Sequence, residues 1–167
     1  MYLSVNSNYS KADCSLAKAE KNDCVVRSLA SATGVSYRTA HNFCKEEMGR
    51  VNKKGTNNLL MTNLFLKAQD DGLKLGTKEF DVYGLKKEEI KNLYKLKGEE
   101  IWRQKTLKSF MKTHPKGTYM VLVAKHALCV KDGELFDWNN NKFEPTRKVM
   151  GAYKFTEKSP VTQLSLF

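Results

Sequence analysis

The sequence has no long hydrophobic run and no segment that would direct it out of a cell. No uninterrupted apolar stretch approaches the ~20 residues that a bilayer-spanning helix needs, so we expect no membrane span. The first residues, MYLSVNSNYSKADC, lack a basic segment followed by an apolar one, which predicts a cytoplasmic protein without a signal peptide. In that compartment we expect reduced thiols at all four cysteines: Cys14, Cys24, Cys44 and Cys129.

Paired CxxC motifs are also absent, which argues against a structural zinc site. His41 and Cys44 share one face of a predicted helix, but the remaining cysteines lie far away in the sequence. We therefore predict no metal and no cofactor.

Acidic residues are too few to balance the basic ones. The chain carries 29 Lys and Arg against 18 Asp and Glu, a formal charge of +11, and the excess is densest between Lys86 and Lys116. No RNA-binding, zinc-finger or helix-turn-helix motif accompanies this charge, so direct reading of bases is not expected. Nonspecific contact with DNA and a simple solvated surface both remain open.

Helical patterns fill the amino-terminal part of the chain. A helix is predicted from Asp23 to a terminating Gly34, and a second from Ser36 to Gly49. In the second helix, Tyr37, Ala40, Cys44 and Met48 recur at helical spacing. A third helix over 57–72 has Leu60, Leu64 and Ala68 on one stripe; we expect a strand or loop over 73–83 and a charged helix over 86–97.

The carboxy-terminal part changes character. After a short helix that begins at Thr106, strands are predicted over 118–124, 126–131, 134–138 and 149–155, with a hairpin turn at Asp132–Gly133. Helices followed by an antiparallel sheet predict an α+β fold. We expect one domain over 1–155 and a flexible tail over 156–167.

Three chemically active residues have the spacing of a nucleophilic site. Cys24 begins an apolar helix, where unsatisfied N–H groups favour the thiolate. His126 begins a predicted strand, and Asp137 follows across the hairpin, so an antiparallel return brings the carboxylate beside the imidazole. Each assignment has an alternative. Cys24 could be a buried core residue and His126 a structural strand histidine. Asp132, Asn139 or Asn140 could orient the histidine in place of Asp137.

A family resemblance rests on two segments, NDCVVRSLASATG and HPKGTYMVLVAKHALCVKDGELFDW. Together with the residues between them (20–138), they resemble small papain-like cysteine peptidases, especially cysteine-peptidase-like proteins of bacteriophages. They are similar, more distantly, to the peptidase domains of bacteriocin-exporting transporters. The resemblance implies a papain-like fold with the amino-terminal helices packed on the carboxy-terminal antiparallel sheet, and a peptide or protein substrate in the cytoplasm of a bacterial host.

By the same resemblance, Cys24 is the nucleophile, His126 the base and acid, and Asp137 the group that orients His126. Lys18 stands where many of these enzymes have an oxyanion-stabilising Gln, and Val25 where a Gly often follows the nucleophile. Asn22 is expected to supply a replacement donor. These two departures leave open a catalytically inactive protein on the same fold.

The last five residues carry a second resemblance. The sequence QLSLF matches the consensus peptide by which bacterial polymerases and repair proteins bind the DNA sliding clamp: Gln163, Leu164, Ser165, Leu166 and Phe167. This resemblance implies a phage-encoded clamp-binding protein, either with a hydrolase site or as an inactive inhibitor of host DNA replication. A DNA-associated basic protein is the weaker alternative, and a tail folded back as an edge strand is the competing structural interpretation.

Overall fold

The computed structural model describes residues 5–6, 15–138 and 144–159. Cys14, Asn139, Asn140 and the tail residues Gln163–Phe167 lie outside the described residues. The helices are α1 (Ser15–Ala19), α2 (Cys24–Thr33), α3 (Tyr37–Glu47), α4 (Asn58–Asp71), α5 (Lys87–Ile90) and α6 (Leu107–Thr113).

Local capping explains where these helices begin and end. The side chains of Ser36, Asn57 and Thr106 accept hydrogen bonds from N–H groups in the first turns of α3, α4 and α6. Gly34 ends α2 with a φ of 72°, the left-handed conformation that glycine adopts without a steric penalty. The predicted boundaries of the first two helices therefore agree with the structure.

The strands form one large sheet and one separate hairpin. They are β1 (Val5–Asn6), β2 (Leu73–Leu75), β3 (Lys78–Gly84), β4 (Lys91–Leu96), β5 (Glu99–Gln104), β6 (Thr118–Val123), β7 (His126–Lys131), β8 (Glu134–Phe136) and β9 (Gly151–Glu157). Seven of them make a sheet in the order β1-β8-β7-β6-β9-β3-β2. Its pairs are antiparallel apart from β1 and β8, which run parallel. The α+β prediction is confirmed.

Apolar side chains cover both faces of this sheet. On one face, α2, α3 and α4 contribute Leu29, Cys44 and Phe65 to a cluster that includes Met120 and Cys129 of the sheet. On the other face, residues of α6 pack with alternate positions of β6 and β7, as the period of two in a strand requires. Among the described residues, no helix is both long and apolar enough to cross a membrane.

Two predictions about helices were wrong. The segment 86–97 is helical only over α5, after which β4 pairs with β5 across a turn whose residues Lys97 and Gly98 have φ values of 51° and 80°. Such a two-residue turn stabilises a hairpin rather than a helix. The buried stripe of α4 consists of Met61, Phe65 and Ala68, whereas Leu60 is exposed and Leu64 half-buried.

The last strand, β9, extends to Glu157, two residues beyond the predicted end of this strand at Phe155. In the sheet, β9 lies between β6 and β3, so it is paired along both edges.

Candidate active site

Cys24 is the first residue of a helix that is otherwise enclosed. From Val25 to Thr33, every residue of α2 is buried, whereas the Cys24 side chain remains partly accessible. This placement follows from the sequence, since the apolar residues that bury α2 start immediately after the cysteine. The helix therefore presents its thiol at the end where free N–H groups and the positive end of the helix dipole lie.

His126 and Asp137 meet at one end of the sheet. A two-residue turn, Ala124–Lys125, joins β6 to β7, so that His126 is the first residue of β7 and pairs with Val123. Asp137 directly follows β8, the antiparallel neighbour of β7. The distance from His126 Nε2 to Asp137 Oδ1 is 2.7 Å.

The Asp137 carboxylate is buried and held in place. Its Oδ1 atom also accepts the backbone N–H of Trp138 at 2.7 Å. The indole Nε1 of Trp138 in turn donates to the carbonyl oxygen of Ala127 at 3.0 Å, which anchors the chain after β8 to β7. This arrangement orients the imidazole through Nε2 and leaves Nδ1 as its other proton-exchanging nitrogen.

The surroundings of His126 favour its protonated form. Burial alone would lower its pKa, but hydrogen bonds to Asp137 and Cys24, together with the charges of these two groups, raise the pKa to about 9. The His126 ring thus lies in hydrogen-bonding contact with the Cys24 side chain. The pair can therefore exchange a proton, as a nucleophilic thiol requires.

A cleft of about 730 Å³ opens over these side chains. Cys24 and His126 line it together with Asn22, Thr56, Trp138 and Met150. The cleft lies beside His126 at the start of β7 and Met150, the residue before β9, with the start of α2 next to them. The structure thus brings Cys24, His126, Asp137 and Asn22 into one region.

Asp23, the residue before Cys24, is buried in a network that sequence analysis missed. Its Oδ2 atom accepts the Tyr37 hydroxyl at 2.7 Å and Arg27 Nε at 3.1 Å. Burial and the bond to Asp23 raise the pKa of Tyr37 well above its usual range, so its hydroxyl stays protonated as the donor. The spacing of Asp23 and Arg27 on one helix face was visible in the sequence, whereas the contact with α3 was not.

Glu20 is the centre of a second buried network. Its carboxylate contacts Arg50 Nη2 at 2.8 Å and His41 Nε2 at 3.1 Å, and it accepts the Lys53 N–H at 2.9 Å. Burial would raise the pKa of Glu20, but the hydrogen bonds from Arg50, Lys53 and His41 hold it at about 2.

His41 therefore binds a carboxylate, and Cys44 is a core residue. Burial raises the pKa of the Cys44 thiol to about 12 and that of Cys129 to about 11, which leaves both as neutral thiols. Cys24, Cys44 and Cys129 are free cysteines. In the described part of the chain, no group of His, Cys, Asp and Glu side chains could hold a metal ion.

Asn22, predicted as an oxyanion donor, has a different contact. Its Nδ2 atom donates to the carbonyl oxygen of Lys53 at 3.2 Å, and its φ of 54° is left-handed. The amide thus lies at the cleft but is directed towards the segment after α3. Lys18, which stands where an oxyanion-stabilising Gln would be expected, belongs to α1.

The comparisons with known proteins identify no relative. No protein family matches the sequence, and neither a curated protein nor a solved structure matches the chain.

Proposed function

We propose that the protein is a papain-like cysteine hydrolase that cleaves peptide or isopeptide bonds. One observation carries this proposal: a partly accessible Cys24 at the start of α2 shares a cleft with His126, whose Nε2 is bound by the buried Asp137. Helices packed on one face of an antiparallel sheet are consistent with a papain-like fold.

The chemistry follows from the placement of these groups. His126 takes the proton of the Cys24 thiol, and the thiolate attacks the substrate carbonyl carbon. The imidazolium then gives this proton to the leaving amine as the carbon–nitrogen bond breaks, which forms a thioester. Water, deprotonated by His126, attacks the thioester, and the returned proton restores the Cys24 thiol as the acid leaves.

Covalent labelling tests this proposal without a known substrate. Iodoacetamide should alkylate Cys24 at pH 6 well before Cys14, Cys44 and Cys129, as mapped by mass spectrometry. Cys24→Ala should abolish the fast labelling and His126→Ala should slow it strongly, whereas the control Cys44→Ala should retain it. Once a substrate is found, removal of the His126 base should lower turnover by about 10²–10⁴-fold.

Labelling of Cys24 no faster than that of the other thiols would contradict a catalytic role. Fast labelling that persists in His126→Ala would contradict the assigned base. Fast labelling without turnover of any peptide or isopeptide library would favour the inactive protein on the same fold.

The QLSLF ending supports a second function, binding to the bacterial DNA sliding clamp. As an extended peptide, it offers Gln163 for hydrogen bonding and Leu164, Leu166 and Phe167 as apolar anchors. Burial of three such side chains gives roughly 5–9 kcal/mol before ordering costs, so the isolated peptide should bind at around the micromolar level. By occupying the clamp, the protein would compete with host polymerases.

Calorimetric titration of the clamp from the bacterial host tests this second function. Deletion of residues 163–167 should abolish binding, Phe167→Ala should weaken it, and Ser159→Ala, at an exposed position outside the peptide, serves as the control. The two functions are separable, since Cys24→Ala should still bind the clamp and the deletion should still be labelled at Cys24. Undiminished binding after the deletion would contradict the role of the tail.

A further inference from the structure

The segment between α3 and α4 forms one wall of the cleft. Residues 51–55 are exposed, yet Gly55 and Thr56, with Asn58 at the start of α4, line the cleft that contains Cys24. A mostly exposed segment has little apolar burial to hold it in place. Its position relative to the thiol must therefore depend on specific polar contacts.

Lys53 provides those contacts through its main chain. Its N–H donates to Glu20 Oε2 at 2.9 Å, and its carbonyl oxygen accepts from Asn22 Nδ2 at 3.2 Å. Glu20 and Asn22 belong to the turn that leads into Cys24. One peptide group on each side of the Lys53 α-carbon is thus held by the segment that positions the nucleophile.

The residues that support these Lys53 contacts are buried. Glu20, His41 and Arg50 are each 3% exposed, and Arg50 Nη2 also donates to the carbonyl oxygen of Lys21 at 3.2 Å. Both Asn22 and Lys53 have left-handed φ values, 54° and 62°, which non-glycine residues adopt only at a steric cost. Such a conformation persists where surrounding contacts maintain it.

We propose that Glu20 and Asn22 are positioning residues. By hydrogen bonding to the main chain of Lys53, they fix residues 53–58 as the wall of the cleft. An extended peptide substrate lies along this wall beside Cys24. This inference rests on the proposed hydrolase function and deepens it. It also assigns Asn22 a role other than oxyanion stabilisation, because the structure directs its amide to Lys53. The hydrogen bonds to Lys53 affect how an extended substrate binds. An oxyanion donor, in contrast, acts only when a tetrahedral intermediate forms.

Two electrophiles separate these roles. Iodoacetamide is small and measures the reactivity of the thiol alone. A peptidyl epoxide reacts with Cys24 by ring opening, without an acyl tetrahedral intermediate, and requires an aligned peptide. The variant Asn22→Gly removes the hydrogen bond to Lys53, and glycine tolerates the left-handed φ at this position. Its rate with the peptidyl epoxide should fall roughly tenfold relative to its rate with iodoacetamide, because one hydrogen bond is lost.

Lys97→Gly is the matched control, since Lys97 has a similar φ of 51° at the tip of the β4–β5 hairpin. Asn22→Asp should behave as Asn22→Gly, because a carboxylate cannot donate to the Lys53 carbonyl. Glu20→Gln should have a smaller effect, because its amide oxygen can still accept the Lys53 N–H. Independently, hydrogen exchange at the amides of residues 53–56 should accelerate in Asn22→Gly and not in Lys97→Gly.

The positioning role would be contradicted if Asn22→Gly changed neither the ratio of the peptidyl epoxide rate to the iodoacetamide rate nor the hydrogen exchange of residues 53–56. A ratio that stays constant while substrate turnover falls would assign Asn22 to the oxyanion instead. If the wild-type protein reacts no faster with a peptidyl epoxide than with a simple epoxide, the proposed peptidase function fails. Hydrogen exchange at residues 53–56 then still decides whether Asn22 holds Lys53 in place.

Discussion

His126 lies between two groups that both favour its imidazolium form. Asp137 is an anionic partner at 2.7 Å, and Cys24 is a second group whose ionised form pairs with the positive ring. His114 has the opposite environment, since burial lowers its pKa more than its hydrogen bond to the carbonyl oxygen of Phe110 raises it. His126 and His114 should therefore be distinguishable in one titration.

We predict that NMR titration will show His126 deprotonating at about pH 9 and His114 below its usual value of 6.5. Asp137→Asn should move the pKa of His126 down by removing its anionic partner. A His126 resonance that titrates near 6.5 in both proteins would contradict the Asp137 interaction.

The same interaction predicts a pH dependence of stability. Since the pKa of His126 is raised in the folded state, its contribution is fully present below about pH 6.5 and is lost as the pH rises through about 9. The free energy of unfolding of the wild-type protein should therefore exceed that of Asp137→Asn by more at pH 6 than at pH 10. Urea unfolding at both pH values measures this difference, and a constant difference would contradict the linkage.

At the scale of elements, buried polar networks rather than a standard cap hold the start of α2. Asp23 occupies the N-cap position of α2, but its side chain makes no capping hydrogen bond there. It bonds instead to Arg27 and Tyr37, which joins α2 to α3. The Glu20–Arg50 pair joins the segment before α2 to the segment after α3. The nucleophile is thus positioned by contacts between elements.

We predict that Arg50→Met destabilises the protein by about 3–5 kcal/mol at pH 7, because it removes the guanidinium that pairs with the buried Glu20 carboxylate at 2.8 Å. The control Lys45→Met, at an exposed position of α3, should change the free energy of unfolding by less than about 0.5 kcal/mol. Chemical denaturation measures both.

The pKa of Glu20 adds a pH test of this pair. Because it is depressed to about 2, the stabilisation is present above about pH 4.5 and is lost as the pH falls towards 2. The cost of Arg50→Met should therefore shrink in acid. An equal cost at pH 7 and pH 2.5 would show that packing, not the ion pair, carries the effect.

At the scale of the whole molecule, the net charge is +11, and the β4–β5 hairpin belongs to the segment where the basic excess is densest. The hairpin is separate from the seven-stranded sheet, and it exposes Leu93, Tyr94 and Leu96, with Arg103 beside the ring of Tyr94. Because it belongs to the most basic part of the chain, we propose it as the site of nonspecific contact with DNA phosphates.

We predict weak duplex binding that shows no sequence preference and falls steeply with salt concentration. Lys91→Ala with Lys95→Ala should reduce the slope of log affinity against log salt by about 0.9 for each phosphate that is no longer neutralised. Lys45→Ala with Lys67→Ala, at exposed positions of α3 and α4, is the matched control. Fluorescence polarisation with a labelled duplex measures the slopes, and equal slopes for both variants would exclude the hairpin.

Local patterns determined much of what surrounds the candidate site. Gly34 and Ser36 marked the boundaries of two helices, and Asp132–Gly133 marked the hairpin that returns β8 alongside β7. Because that hairpin is short, its register followed from the sequence, and the proximity of Asp137 to His126 could be predicted. These features depend on residues close together in the chain, where periodicity and turn chemistry act directly.

Only the tertiary structure decided the contacts between distant segments. Glu20 and Arg50 are separated by 30 residues and Asp23 and Tyr37 by 14, and no periodic pattern encodes which of many polar residues will be buried together. Likewise, β9 enters the sheet between β6 and β3, although it follows both in the chain. Such pairings are selected by the joint burial of apolar faces and by the pairing of enclosed charges, both of which depend on the assembled fold rather than on any one segment.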